Sequence, residues 1–230
     1  MKMLLANRQA FWMAATLLSL AVSGWAQSGP ANLGFEEGRL GEVPKGWFVP
    51  PPVEKAGYRA RLSDQAPKSG ASCAQLTYAG DGPPSGFGNL LQSFDATPYR
   101  GKRVRFRAAV RTEAAGPGTR VQLWFREDRK DGRMGFFDNM DDRPITATDW
   151  RYYDIIGDIG EDGEKIFVGI MLLSRGSAWM DDASFEVLGD AERFSVEPAR
   201  PLDDRGLRNL VAFGRLLGYA RHFHPSDEAA

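Results

Sequence analysis

Histidine is the commonest general base and metal ligand, and this chain of 230 residues has two, His222 and His224. They stand two apart, so on a helix they point about 200° away from each other and cannot grip one metal as an i, i+4 pair would. Their place around Phe223, directly before Pro225, suits packing at a helix end, where a cation is favoured. No histidine occurs between residues 31 and 189, which excludes a Ser-His-Asp site and a histidine-ligated zinc from that stretch. The single cysteine, Cys73 in ASCAQLTY, reads as a small core residue. Asp138, Asp141, Asp142, Asp158 and Asp162 could serve a glycosidase as an acid and a base or nucleophile. None lies in a recognisable catalytic motif, so these acids read as solvated loop residues and no catalysis is expected from this stretch. The side chains best suited to binding are Gln122, Trp124 and Arg126, which alternate with Val121, Leu123 and Phe125 and share one strand face. Arg105 and Arg107 occupy the polar face of the preceding strand. If the two strands are neighbours, an aromatic platform sits among cationic donors, suited to sugars, uronic acids or acidic peptides. The alternative is that Trp124 is covered by the long loop KDGRMGFFDNMDDRPITATDW, whose Phe136 and Phe137 also want burial.

The elements that must hold these groups are strands. From residue 31 to 189 the apolar pattern has period two, with turn signals at short intervals. In KRVRFRAAVRT, Val104, Phe106, Ala108 and Val110 point one way, while Arg103, Arg105, Arg107 and Arg111 point the other. About nine or ten short strands and no convincing helix predict an all-β antiparallel sandwich or barrel. DRKDGR lacks the acidic spacing of a calcium loop and reads as a hairpin turn. AGDGPPSGFG lacks the Gly-Lys-Ser/Thr of a phosphate cradle. The formal charge of −1 gives no field for nucleic acid or an anionic surface.

The two ends read differently. Residues 1–26 have the layout of a secretory signal peptide: Lys2 and Arg8, a largely apolar run from Phe11 to Val22, then Gly24-Trp25-Ala26. A secreted or periplasmic bacterial protein with no membrane anchor after cleavage is expected. The polar, proline-bearing stretch 190–202 reads as a linker. From Asp203 or Asp204 the period becomes helical, with Leu207, Leu210, Val211, Gly214 and Leu217 on one face. Phe213, Leu216 and Tyr219 widen that face beyond what one exposed helix should show, so residues 203–230 are expected to begin a second, truncated domain.

NLGFEEGRLGEVPKGW near the start and AWMDDASFEVLG at the end of the strands resemble the opening and closing strands of galactose-binding-like jelly-roll modules, an architecture shared by many carbohydrate-binding modules. The resemblance covers residues 31–189. It implies a structural calcium held by Glu36 and Asp182, with Asp181 or Glu37 assisting. LVAFGRLLGYARHFHPSDEA resembles the helical lead-in of exported serine peptidases of the C-terminal-processing and tricorn type, some of which carry such a jelly roll. The resemblance implies a non-catalytic accessory or binding domain, partnered by a downstream peptidase domain that carries the nucleophile. The alternatives are a free-standing secreted carbohydrate-binding protein and a structural spacer without a ligand.

Overall fold

The structure is a computed structural model that describes residues 29–116, 118–191 and 203–223, with side chains of the last segment described to residue 216. The expected signal peptide, most of the linker and His224 lie outside the described residues. The chain divides into two compact units, Met1–Glu192 and Arg193–Ala230.

In the first unit a short helix α1 (Pro51–Lys55) precedes nine strands: β1 (Tyr58–Ser63), β2 (Cys73–Tyr78), β3 (Phe87–Asp95), β4 (Lys102–Ala114), β5 (Arg120–Arg129), β6 (Met134–Asp138), β7 (Arg151–Asp158), β8 (Gly163–Leu173) and β9 (Gly176–Asp190). α1 begins with Pro51-Pro52, whose fixed φ suits a first helical turn. All strand pairs are antiparallel, in a five-stranded sheet ordered β1-β2-β9-β4-β7 and a four-stranded sheet ordered β3-β8-β5-β6. This is the two-layered sandwich that the period-two pattern predicts.

The two inner faces make the core. Val104, Phe106, Ala108 and Val110 of β4 are fully buried there, as their alternation requires. Phe94 and Phe125 come from the four-stranded sheet and meet Phe185 of the other sheet edge-on, with centroids at 5.1 and 5.6 Å. Each large apolar side chain fully buried in this way contributes about 2 kcal/mol. The DRKDGR turn closes the β5–β6 hairpin, with Gly132 at φ +78°.

The NLGFEE segment differs from its expected strand. Asn32 and Phe35 have φ of +49° and +56°, left-handed conformations that end pairing. The Asn32 side chain instead gathers the backbone of Glu37 and Lys45. The buried Phe35 ring lies 5.0 Å from Trp47. Sequence pattern misses this turn because the apolar residues that anchor it are not periodic.

The described residues of the second unit form the helix α2 (Asp204–Phe223), capped by Asp203, whose Oδ1 accepts the Gly206 amide at 2.6 Å. Leu207, Leu210, Val211, Phe213 and Leu216 along it are exposed. No helix among the described residues is long and apolar enough to cross a membrane.

Candidate functional site

The residues suited to binding gather on the outer face of the four-stranded sheet. β5 turns Gln122, Trp124 and Arg126 outward, while Leu123 and Phe125 enter the core. Trp124 stands opposite Gly169 of β8. A Cβ at Gly169 would lie 2.7 Å from the indole Nε1 and 2.5 Å from the Leu90 carbonyl, so only glycine lets the ring lie against the strand. The indole donates from Nε1 to Asn89 Oδ1 on β3 at 2.9 Å. Leu91, Phe167 and Met171 complete a second apolar cluster around it, with Phe48, Phe87 and Leu173 packed against them. Arg126 stacks its guanidinium 4.7 Å from the Phe167 ring centre and donates to Asp128 at 2.7 Å. Gln122 donates to Asp141 at 3.3 Å. Two polar atoms on this face are buried without a hydrogen-bond partner among the described residues: Gln122 Oε1 and Arg126 Nε. Buried polar atoms are rarely left so, because the lost bond to water costs about 1–3 kcal/mol.

Two expectations about this face need correction. Trp124 is only 3% exposed, so it is not an open platform. Arg105 and Arg107 are not its neighbours. The turn after β4 carries the chain from the five-stranded to the four-stranded sheet, so β4 and β5 belong to different layers. Arg105 pairs instead with Glu186 at 2.7 Å, and the Arg107 guanidinium lies 4.4 Å from the Tyr152 ring centre. Sequence reasoning missed Asn89, Phe167 and Gly169. The one available signal was the glycine inside KIFVGIMLL, where a strand interior disfavours it.

The expected calcium carboxylates lie on the outer face of the five-stranded sheet. A bulge in β9 sets Asp182 and Ala183 against Ala108 alone, and Asp182 takes φ +46°. Bulges re-aim side chains, and this one turns the fully buried Asp181 toward the loop between β1 and β2. Asp181 accepts the amides of Lys68 at 2.8 Å, Ser69 at 2.9 Å and Asp182 at 2.7 Å. Burial pushes its carboxyl up despite those three bonds. Glu36 accepts the Ala71 amide at 3.0 Å and the Ser72 amide at 3.3 Å. A Cβ at Gly70 would come within 2.1 Å of its Oε1, so the carboxylate fills the space that glycine leaves. Asp182 takes the Tyr152 hydroxyl, and Glu37 pairs with Lys45. These acids are thus used one by one, chiefly on amides of a single loop. Calcium needs six to eight converging oxygens. Among the described residues no three His, Cys, Asp or Glu side chains gather to hold a metal. Cys73 lies beneath the same loop, fully buried, its thiol pushed up to about 12 by burial and by Asp181.

At the far end of β5, Glu127 is wholly buried, with no partner in hydrogen-bond geometry for either oxygen. Burial pushes its carboxyl up, and Arg129, with Nε at 3.9 Å, and the Gly160 backbone amide pull it partly back. The acids considered for catalysis serve as partners of basic residues: Asp138 and Asp142 with Arg143, Asp141 with Arg120, Asp158 with Arg103, and Asp162 with Arg129.

Against known proteins, no family model matches the chain. An uncharacterized HTH-type transcriptional regulator of Bacillus subtilis (strain 168), YbfP, is 36% identical over 106 residues, which are 46% of this chain and 35% of that protein. The chain therefore spans about a third of that relative's length. Among solved structures, the tandem of CBM22-1 and CBM22-2 carbohydrate-binding modules of Paenibacillus barcinonensis Xyn10C aligns with a TM-score of 0.50 at 15% identity, over 69% of this chain and 45% of that one. The enzymatically active domain of tailspike protein 4 of bacteriophage CBA120 also aligns with a TM-score of 0.50, at 10% identity, over 70% of this chain and 21% of the other. Likeness at such identity is likeness of fold. The chain carries an antiparallel β-sandwich of the jelly-roll type seen in carbohydrate-binding modules.

Proposed function

We propose that the sandwich is a non-catalytic glycan-binding module of an exported protein, and that a polysaccharide lies against the outer face of the four-stranded sheet. The observation that supports this is the pair of buried, unpartnered atoms, Gln122 Oε1 and Arg126 Nε, flanking Trp124 on one strand face. A sugar hydroxyl donates to the first and accepts from the second, and the apolar face of the ring packs on indole. Phe48, Phe87 and Leu173, the partly buried members of the cluster around Trp124, must move aside for a ligand to reach the ring. Affinity electrophoresis of the full chain in gels containing xylan, β-1,4-galactan or pectin tests the proposal. At least one polysaccharide should retard the wild type. Gln122→Ala and Arg126→Gln should abolish the retardation while leaving the melting transition cooperative. Equal retardation of the variants, or none of the wild type by any of the three, would overturn it.

The wider role proposed is that of an accessory domain in an exported serine peptidase whose catalytic groups lie elsewhere. The exposed apolar side chains of α2 support this, because a helix with so wide an apolar face needs a helical partner. Sequencing the genomic locus past Ala230 decides it. A serine-peptidase domain in frame is expected, and an immediate stop codon removes this part of the proposal.

A further inference from the structure

A groove of about 210 Å³ opens at one end of the sandwich, lined by Thr77, Tyr78, Glu113, Arg175 and Ser177. It belongs to the five-stranded sheet and shares no residue with the Trp124 face. Three of its polar residues form one row across adjacent strands. Thr77 of β2 pairs with Ser177 of β9, and Ser177 pairs with Glu113 of β4. Directly opposed residues stand on the same face of a sheet. The Thr77 and Ser177 hydroxyls lie 2.9 Å apart, and Thr77 Oγ1 is also 3.2 Å from the Gly176 carbonyl. A hydroxyl both donates and accepts, so this pair retains capacity for a ligand.

The charged walls complete the chemistry. Glu113 is exposed, and no hydrogen bond or ion pair engages its carboxylate among the described residues. Arg175 is held in place: its Nη2 donates to the carbonyls of Asp81 at 3.3 Å and Gly82 at 2.8 Å, and its guanidinium lies 5.4 Å from the Tyr78 ring centre. The Tyr78 hydroxyl donates to the same Gly82 carbonyl at 2.7 Å, so ring and guanidinium share one anchor. A free cation would be drawn to Glu113 and repelled by Arg175, and a free anion the reverse. Thr77 gives its proton to the Gly176 carbonyl and takes that of Ser177, so the serine oxygen is left to accept. A neutral ligand with adjacent hydroxyls satisfies both charges, donating to the carboxylate or the serine oxygen and accepting from the guanidinium. A volume of this size holds one ring.

We infer that this groove binds a single neutral sugar ring through two adjacent hydroxyls, with Glu113 and Ser177 accepting, Arg175 donating, and Tyr78 forming the wall. It is a second site, independent of the four-stranded face. The test is a titration of the ¹⁵N-labelled full chain with the methyl glycosides of xylose, glucose and galactose, read by amide chemical shifts. The amides of Thr77, Glu113 and Ser177 should move saturably with at least one glycoside. Glu113→Gln and Arg175→Ala should each weaken that binding roughly tenfold. Glu113 is exposed and its variant should melt with the wild type, while Arg175→Ala, which loses its bonds to the Asp81 and Gly82 carbonyls, should still melt cooperatively, a few degrees lower. Shifts confined to the Gln122–Arg126 stretch would overturn this inference and leave the first proposal standing. An absence of shifts at Thr77, Glu113 and Ser177 with every glycoside, or shifts unchanged in both variants, would equally overturn it.

Discussion

Replacing Asp181 removes the acceptor of three amide bonds at once, and the choice of replacement separates the terms. Lys68 and Ser69 donate to Oδ2 and the Asp182 amide to Oδ1. Asp181→Asn keeps an oxygen for the loop amides, loses one bond and carries no charge, so it should cost about 1 kcal/mol. Asp181→Ala orphans all three donors. A bond to a charged group is worth about 1.5–3 kcal/mol, but water can replace part of the loss at a surface loop, so about 3 kcal/mol in total is expected. For a domain of this size 1 kcal/mol shifts the melting midpoint by about 2–4 °C, which places the alanine variant about 6–12 °C below the wild type and the asparagine variant about 2–4 °C below it. The pH dependence also has a definite sign. Burial raises the native pKa of Asp181. The folded state therefore carries no penalty below the ordinary Asp value of about 3.9, and a growing penalty as pH rises from there through the native value. Asparagine imitates the protonated acid, so its cost relative to wild type should be largest in acid and shrink toward neutrality. Circular-dichroism melts across that pH range measure both effects, and amide exchange at Lys68 and Ser69 reports the loop directly. An alanine variant that melts with the wild type, or an asparagine penalty that grows with pH, would refute the reasoning.

Other predictions follow from the same structure. Glu127→Gln should raise stability at neutral pH by about 1 kcal/mol, because burial of the carboxylate outweighs the help it has from Arg129 and the Gly160 amide, and a neutral amide carries no such penalty. The gain should vanish in acid below about pH 4.3, where Glu is protonated in both states. Urea titrations of both proteins check it, and destabilisation at neutral pH would contradict it. Cys73 should resist a thiol reagent in the native protein and react fully once unfolded, since its thiol is buried and its pKa is pushed up to about 12. Fast native labelling would contradict the placement of β2. Calcium addition or chelation should leave the melting midpoint within about 1 °C, because a ligand that does not bind the native state cannot stabilise it. A rise of several degrees with calcium would contradict this and return the calcium expectation at Glu36 and Asp182.

The layered all-β fold was legible because burial imposes it residue by residue. The alternation of Val104, Phe106, Ala108 and Val110 with arginines leaves β4 one orientation. The outward grouping of Gln122, Trp124 and Arg126 was legible for the same reason. What lay beyond the pattern were relations between distant strands. A short turn rich in glycine between β4 and β5 is compatible with a hairpin and with a crossing between layers, and the core chose the crossing. That choice moved Arg105 and Arg107 away from Trp124. Asn89 reaches the indole only through the β3-β8-β5 order, which no local stretch encodes. Glu36, Asp181 and Asp182 stood out in the sequence as expected calcium ligands. Their partners did not, because the bulge at Asp182 and the turn at Phe35 both depend on left-handed residues that are neither glycine nor periodic.

The most direct test of the glycan-binding face is the Trp124 indole N–H resonance, assigned by its loss in Trp124→Phe, followed while xylo- and galacto-oligosaccharides are added to the full chain. At least one oligosaccharide should shift it saturably, together with the side-chain amide of Gln122 and the guanidinium resonance of Arg126. If all three stay fixed while the chain demonstrably binds the sugar, the ligand sits elsewhere and the account of this face is wrong.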